Sequence, residues 1–374
     1  MNTVAASFKG RALRIGRRIL SRQRLDVPLL IALTVLALIG LTVLYSASGL
    51  DTGTVVGQAV RFGIGATLLV VVSRIPPSLL RAWTPWFYVF GVLLLVTVKV
   101  LGEGAGANRW LDIGVIRFQP SELMKLAMPM MVAWYLHPRQ LPPRWRDIAA
   151  IALLIAAPTL LIVKQPDLGT AILVAASGVF VLFLAGLPWW KIGALTAGLA
   201  ASAPVVWHFL HDYQRQRVLT FMHPESDPLG SGWHIIQSMI AVGSGGVLGK
   251  GFNQGTQSKL EFLPEHTTDF IFAVLGEEFG LLGVLVLLVV YVFIIGRCMW
   301  IASNARDTYS RLVAGALALA FSVYVIVNGG MITGLLPVVG VPLPLVSYGG
   351  TSAITLLVGF GVVMSIHAHR KWTH

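Results

Sequence analysis

The chain has 374 residues, 56% of them hydrophobic and only 12% charged, with a mean hydropathy of +0.77. Water cannot accommodate that much apolar surface, and several runs reach the ~18 apolar residues of a transmembrane helix, which excludes a soluble enzyme in favour of a polytopic integral membrane protein. The formal charge of +12 does not indicate a nucleic-acid partner, because it is gathered before the first apolar run and in short loops, as positive-inside topology and attraction to anionic lipid require.

Lys9, Arg11, Arg14, Arg17, Arg18, Arg22 and Arg24 make residues 1–26 a basic segment, suited to an amphipathic helix on the inner leaflet. The apolar run from Val27 to about Ala47 is too long for a signal-peptide core and lacks a cleavage site, so it reads as a first span. Hydropathy and helix breakers predict ten helices, over about 27–47, 55–73, 80–100, 121–137, 148–164, 169–186, 190–209, 269–296, 311–334 and 347–367. An even number of spans puts both termini on one side. The loops then placed with the basic N-terminus carry Arg74 and Arg81, then Arg139, Arg144 and Arg146, then Lys191, then Arg297, Arg306 and Arg311, and the tail adds Arg370 and Lys371. The expectation is an all-α integral membrane protein forming one polytopic domain, residues 1–374. It has ten transmembrane helices, cytoplasmic N- and C-termini, and a large periplasmic loop, 210–268, between helices seven and eight. That loop and the connection 101–120 hold both signs of charge and place the working surface outside.

Ionisable residues in or beside a span call for a reason, because isolated burial costs several kcal/mol. Glu122 and Lys125 in QPSELMK stand three apart, on one helical face, and can pair. They either form a structural ion pair or floor a cavity. Asp167 in KQPDLGT is suited to cap the sixth helix, and a cap can also line a site. His211, Asp212, Arg215 and Arg217 stand where the seventh span leaves the bilayer. Arginines there can simply snorkel, but with Arg109, Arg117 and Lys125 predicted on the same side they suit an anionic ligand such as a diphosphate. Asp269 is predicted at the N-terminus of the eighth helix, where the macrodipole favours its ionised form and where it can serve as a general base. On that helix Glu277 would lie about 80° around from Asp269 and Glu278 on the opposite face, the latter structural.

Weaker signals surround these. GWHIIQSMIAVGSGGVLGKG reads as a short amphipathic helix, with Ile235, Ile236, Met239 and Ile240 facing the membrane, and then a glycine turn that is no Walker loop. PLPLVSYGGTS reads as a turn rich in hydroxyls at the start of the last span. The single Cys298 excludes an internal disulfide, and the nine histidines show no HExxH spacing.

QPSELMK, QPDLGT, DYQRQR, HPESDPLGSGWHIIQS, LPEHTTDFIFAVLGEEFG and VPLPLVSYGGTS stand in the order and spacing of the SEDS family of cell-wall polymerases. The chain resembles that family from about Asp26 to Lys371, and its RodA-type elongation branch more than the FtsW division type. The resemblance implies ten spans and a peptidoglycan glycosyltransferase that polymerises lipid II on the outer face of the inner membrane, releasing undecaprenyl diphosphate. It implies a class B penicillin-binding transpeptidase and rod-complex elongation proteins as partners. Asp269 takes the place of the family's catalytic aspartate. Glu122, Lys125 and Asp167 match its other functional charges, with Arg109 and Trp110 in the preceding loop. Relatives commonly read Pro-Glu-X-His-Thr-Asp where this chain has Pro264-Glu265-His266-Thr267-Thr268-Asp269, so no role is carried over to His266; Lys164 before QPDLGT is a second departure.

In the mechanism this suggests, Asp269 takes a proton from a sugar hydroxyl while Lys125, Arg109, Arg215 and Arg217 offset the charge of a diphosphate leaving group. A divalent cation, Mg or Mn, is a candidate helper at Asp269, but no metal site is legible. A lipid II flippase and a non-catalytic scaffold for a transpeptidase are the alternative functions.

Overall fold

The computed structural model describes residues 25–101, 110–112, 117–209, 215, 219–220, 231–256 and 267–370. Among these residues the helices, in chain order, are α1 (Val27–Ala47), α2 (Thr52–Ser73), α3 (Pro77–Leu101), α4 (Pro120–Leu136), α5 (Trp145–Val163), α6 (Leu168–Leu184), α7 (Trp189–Phe209), α8 (Ser231–Ser244), α9 (Ile271–Ser303), α10 (Thr308–Ile332) and α11 (Thr351–Ala368). The other regular structure described is a two-residue antiparallel pair between α3 and α4, β1 (Leu111–Asp112) and β2 (Arg117–Phe118). All ten predicted segments are helical, and α8 is the amphipathic helix expected in the long loop. The chain is a multi-pass membrane protein: α1, α2, α3, α5, α9, α10 and α11 are each long and apolar enough to cross a bilayer, and α6 is a shorter apolar helix.

Short polar residues fix several helix starts. Asp26 accepts from the Leu29 N–H, Asp51 from Gly53 and Thr54, Asp167 from Thr170 and Asp307 from Ser310, each satisfying N–H groups that the first turn leaves unpaired. α4 lies at the centre, against α3, α5, α6, α10 and α11. Thirteen of its 17 residues are buried, so its two charges face protein rather than lipid. α2 and α11 approach closely, with Gly65 under Leu357 and Gly361 against the Leu69 backbone, as small residues permit between membrane helices.

α9 departs most from expectation. It begins at Ile271, after a turn at 267–270, so Asp269 is not on the helix and the angles reckoned from it to Glu277 and Glu278 do not apply. The helix also runs on to Ser303, and it breaks at Gly280 (φ 61°, ψ −160°). The break strands backbone groups, and the glycine loop after α8 pairs them. The N–H groups of Lys250 and Gly251 donate to the carbonyls of Glu277 and Glu278 at 3.0 Å each, while those of Leu281 and Leu282 donate to the carbonyls of Gly246 and Val247 at 2.9 and 3.1 Å. Glu277 Oε1 accepts from Lys250 Nζ at 2.7 Å and from the Thr256 N–H and hydroxyl at 2.7 and 2.9 Å. Glu278 Oε1 accepts from Ser46 Oγ at 2.6 Å, tying α1 to the same junction. The glycine turn is thus a splice in a broken helix. α8 packs on α9 and α10 rather than lying apart, burying Ile235 while Met239 and Ile240 stay exposed.

At the opposite end, Asp26 receives Arg297 through both oxygens, with Nη2 at 2.8 Å and Nε at 3.0 and 3.2 Å, which joins the start of α1 to the last turns of α9. Burial pushes the Asp26 carboxyl up. The Arg297 and Leu29 hydrogen bonds and the charges of His367 and Arg297 outweigh it and hold the carboxyl below its ordinary 3.8.

Two measurements check these contacts. Gly249 has φ +81°, and a Cβ there would stand 2.1 Å from the Glu278 carbonyl oxygen; Gly249→Ala should cost about 1–3 kcal/mol, read as a lower midpoint in a detergent thermal-shift assay. Because the Asp26 carboxyl is depressed, its pairing is fully present above pH 3.8 and is lost as pH falls through the lower folded value. Asp26→Asn should therefore lower the midpoint at about pH 5 and at about pH 8, the gap to wild type closing only in stronger acid.

Candidate active site

A cavity of about 390 Å³ opens where four helices begin. The starts of α4, α6 and α11 and the turn before α9 all contribute: Gln119, Glu122 and Lys125 from the first, Asp167 and Thr170 from the second, Gly350–Ser352 from the third, Thr268 and Asp269 from the turn. Trp110 and the segment 338–342 complete the wall. Every helix N-terminus carries about half a positive charge on its unpaired N–H groups. α4, α9 and α11 have no side-chain cap hydrogen bond, so partial positive ends converge on one space, an arrangement suited to anions.

Glu122 and Lys125 form the expected ion pair, Nζ to Oε1 2.7 Å, with both side chains under a tenth exposed. The ammonium also lies 5.1 Å from the centre of the Tyr324 ring. Glu122 Oε2 is buried without a hydrogen-bond partner among the described residues, leaving an acceptor at the cavity floor. Asp167 does what its sequence suggests and more: Oδ1 caps α6 through the Thr170 N–H at 3.1 Å, and Oδ2 accepts from Gln119 Nε2 at 2.8 Å.

Asp269 is positioned through its main chain. The buried Asn328 amide donates to the carbonyls of Asp269 and Val341 at 2.9 and 2.8 Å. Ser347 Oγ donates to the Thr268 carbonyl at 2.5 Å, and the Tyr348 N–H to the Thr267 carbonyl at 2.8 Å. The stretch VPLPLVSYGGTS is therefore the backing for the Asp269 turn; its first ten residues are non-helical, and α11 starts only at Thr351, not near 347. The Asp269 carboxylate lies beside Gly340, where a Cβ would be 3.4 Å from Oδ2.

The structure thus brings Trp110, Glu122, Lys125, Asp167 and Asp269 to one cavity. Arg215 is placed elsewhere, donating to the Trp207 and His208 carbonyls at the end of α7 at 3.2 and 2.8 Å. Arg109, His211, Asp212, Arg217 and His266 lie outside the described residues. Among the described residues no group of three or more His, Cys, Asp or Glu side chains could hold a metal ion. Cys298 is buried in α9. Sequence analysis passed over Gln58 and Arg61 on α2, which reach the 347–349 turn beside the cavity. The signal was available: an arginine as the tenth residue of a 22-residue apolar helix.

Residues 27–372 match the FtsW/RodA/SpoVE family of cell cycle proteins. The chain belongs to that family. It is 53% identical over 349 residues to the peptidoglycan glycosyltransferase MrdB of Escherichia coli K12, covering 93% of this chain and 94% of the relative. With MrdB of Helicobacter pylori 26695 it shares 38% identity over 320 residues, 84% of this chain and 83% of the relative. Among solved structures, the rod shape determining protein RodA of Thermus thermophilus is 30% identical with a TM-score of 0.72, covering 94% of this chain and 99% of that one. A chain from a peptidoglycan synthase complex, described for its coordination of polymerization and crosslinking, is 35% identical with a TM-score of 0.82 at the same coverage. Within the FtsW/RodA/SpoVE family the chain is of the RodA type.

Removing one member of a buried ion pair strands the other charge. Glu122→Ala should destabilise the protein by roughly 3–5 kcal/mol, and Glu122→Ala combined with Lys125→Met should recover much of that loss. Chemical or thermal unfolding in detergent checks the sign. A double variant less stable than Glu122→Ala alone would show that the pair is not what stabilises this position.

Proposed function

We propose that this cavity joins lipid II units into β-1,4-linked glycan strands during cell elongation, releasing undecaprenyl diphosphate, with Asp269 as general base. The chain is a peptidoglycan glycosyltransferase, as its relatives are. The observation that carries the finer reading is a carboxylate held at a helix mouth, in a cavity ringed by helix N-termini and floored by a buried lysine.

Asp269 accepts the proton of the 4-hydroxyl of the acceptor GlcNAc as that oxygen attacks the anomeric carbon of the donor MurNAc. The new C–O bond forms on the face opposite the leaving group, inverting the anomeric centre, and the bond to the diphosphate breaks with its electron pair departing on the phosphate oxygen. Lys125 and the N-termini of α4, α9 and α11 favour that charge where it develops. Since polyprenyl diphosphate is already a good leaving group, one base and a positive surround suffice without the second carboxylate of glycoside hydrolysis. A divalent cation fits this donor set in only one way: Mg²⁺ takes one or two carboxylates plus substrate phosphates, so Asp269 would hold it together with the diphosphate and it would supply charge neutralisation. An apolar groove of about 500 Å³ between α1 and α9, lined by Leu38, Val43, Leu275, Phe279 and Leu282 among others, offers room for a prenyl tail.

Topology supports the same reading. Arg81, Arg139, Arg144, Lys191, Arg297 and Arg370 belong to the helix ends away from the cavity, where Arg81 meets His137 and Lys191 meets the Pro143 carbonyl. The positive-inside bias puts that end in the cytoplasm with both termini, counts ten spans in the single polytopic domain, and turns the cavity to the periplasm of the bacterial inner membrane. A class B penicillin-binding transpeptidase and the rod-complex elongation proteins are the proposed partners; the similar chain from a peptidoglycan synthase complex supports the first.

Purified protein with its transpeptidase should convert labelled lipid II to polymer. Asp269→Asn, which keeps size and removes charge, should lose at least about a hundredfold in rate, the usual scale of a general base, while retaining its melting temperature and partner binding. Polymerisation at the wild-type rate by the variant would exclude Asp269 as the base, and translocated monomer without polymer from the wild type would favour a flippase.

A further inference from the structure

Arg61 lies nine residues into α2 from Thr52, about 13 Å below that helix's outer end at 1.5 Å per residue. It stands where α2 turns from its packed face, with Gln58 and Phe62 buried, to its lipid face, with Val60 57% and Ile64 49% exposed. The side chain runs back toward the helix start: Nη1 approaches Gln58 Oε1 at 3.5 Å and would sit 3.9 Å from a Cβ on Gly57. The guanidinium carbon is 4.6 Å from the centre of the Tyr348 ring, and Tyr348 lines the cavity. Among the described residues no carboxylate pairs with it. An arginine within a span is costly unless something pairs with it, and a weak contact to an amide with a stacked ring leaves most of its five donors for another group.

The cavity has the complementary deficit. Its described charges are Glu122, Asp167 and Asp269 against Lys125, and Lys125 is already neutralised by Glu122 at 2.7 Å. A diphosphate entering this space needs a cation that none of the described carboxylates has claimed. We propose that Arg61, stacked on Tyr348 and steadied by Gln58, is a binding site for the diphosphate of a polyprenyl-linked substrate at the margin of the cavity that Tyr348 lines. This rests on the reading of a lipid-linked diphosphate as substrate and names a residue for it. Gln58 is suited to the supporting part, because its buried amide also meets the Ser347 carbonyl and the Gly349 N–H at 3.4 Å each, fixing the turn that carries Tyr348. The planar guanidinium matters as well as its charge: it can stack on the ring and offer two parallel N–H groups to phosphate oxygens, which an ammonium cannot.

The test is direct binding to the full-length protein in detergent, using farnesyl diphosphate, farnesyl monophosphate and phosphatidylglycerol as separate probes. Arg61→Gln should weaken the diphosphate by roughly ten- to a hundredfold, the loss of charge-assisted hydrogen bonds, and affect the monophosphate less. Arg61→Lys should fall between, and Tyr348→Leu should weaken binding with the charge left in place. In the polymerisation assay the same variants should raise KM for lipid II more than they lower kcat. Diphosphate affinity unchanged in Arg61→Gln overturns the proposal. So does a loss confined to phosphatidylglycerol, which would make Arg61 a site for an ordinary phospholipid headgroup. If Arg61→Gln fails to fold, Arg61→Lys and Tyr348→Leu decide, both binding as wild type being the overturning result. Binding is read without turnover, so a failure of the base assignment at Asp269 leaves the Arg61 result standing; wild type that polymerises while Arg61→Gln binds normally rejects this inference alone.

Discussion

Inside a bilayer no water is at hand to pair a broken backbone, so every N–H and C=O freed by a break in a membrane helix must be paired by the protein. α9 meets that constraint at Gly280 by taking in the loop after α8, which returns two donors and two acceptors to the open turn. The break divides the helix into two environments. From Ile271 to Glu278 every residue is buried, whereas beyond it Leu281, Leu282, Leu285, Val286, Val289 and Val292 are exposed as a lipid face requires. The first segment can therefore line the interior beside the cavity, and the second can serve as an ordinary span. Glu277 and Glu278, buried at 0% and 2% exposure, belong to this junction. Each holds a different strand of it, Glu277 the loop and Glu278 the end of α1. Buried charges here hold a chain crossing together; the cavity beside Asp269 lies about two helical turns away.

The same topology that forces this splice also creates the electrostatics of the site. Alternate spans of a helical membrane protein start on the same side, so α4, α6, α9 and α11 present N-termini together. Asp167 occupies one of those ends as a cap. The other three have no side-chain cap hydrogen bond, and their N–H dipoles supply positive potential without the desolvation cost of more lysines. Among the described residues the cavity lining holds three carboxylates and one lysine, and these helix ends offset that negative charge in favour of an anion. The topology also accounts for the short, buried α4: a helix packed on all sides by protein can carry Glu122 and Lys125 at a depth where a lipid-facing helix could not.

Much of this was legible in the sequence. Long apolar runs, helix breakers and the Asp167 cap put the helices within a few residues of their places, and the three-residue spacing of Glu122 and Lys125 made their pairing one of two readings. The failures share a cause. A hydropathy run cannot show that Gly280 breaks α9, because its neighbours remain apolar on both sides. Nor can it show that Asp269 stands before the helix, since Asp-Phe-Ile-Phe continues the apolar pattern. GSGGVLGKG and VSYGGTS read as turns, which locally they are. Their use as backing for α9 and for the Asp269 turn depends on contacts between residues as far apart as Tyr348 and Thr267, which local sequence does not encode. Arg61 was missed differently, since one charge in a 22-residue run barely lowers its mean hydropathy.

Asp269 is held in its turn by the main chain as well as by its place in the cavity lining. Glu122 and Glu277 are engaged through their carboxylates by lysines, and Asp167 by an amide and a helix end. Asp269 is fixed through backbone carbonyls in its turn, which Asn328, Ser347 and Tyr348 grip from α10 and from the segment before α11. A base has to keep its place while its own carboxylate exchanges a proton and its partners change, and anchoring the main chain meets both requirements. The anchoring segment is also the one whose Tyr348 carries Arg61 on its ring. The turn that carries the proposed base and the arginine proposed to meet a lipid's phosphates therefore share one backing, and a substrate seated on Arg61 would bear on the same few hydrogen bonds that place Asp269.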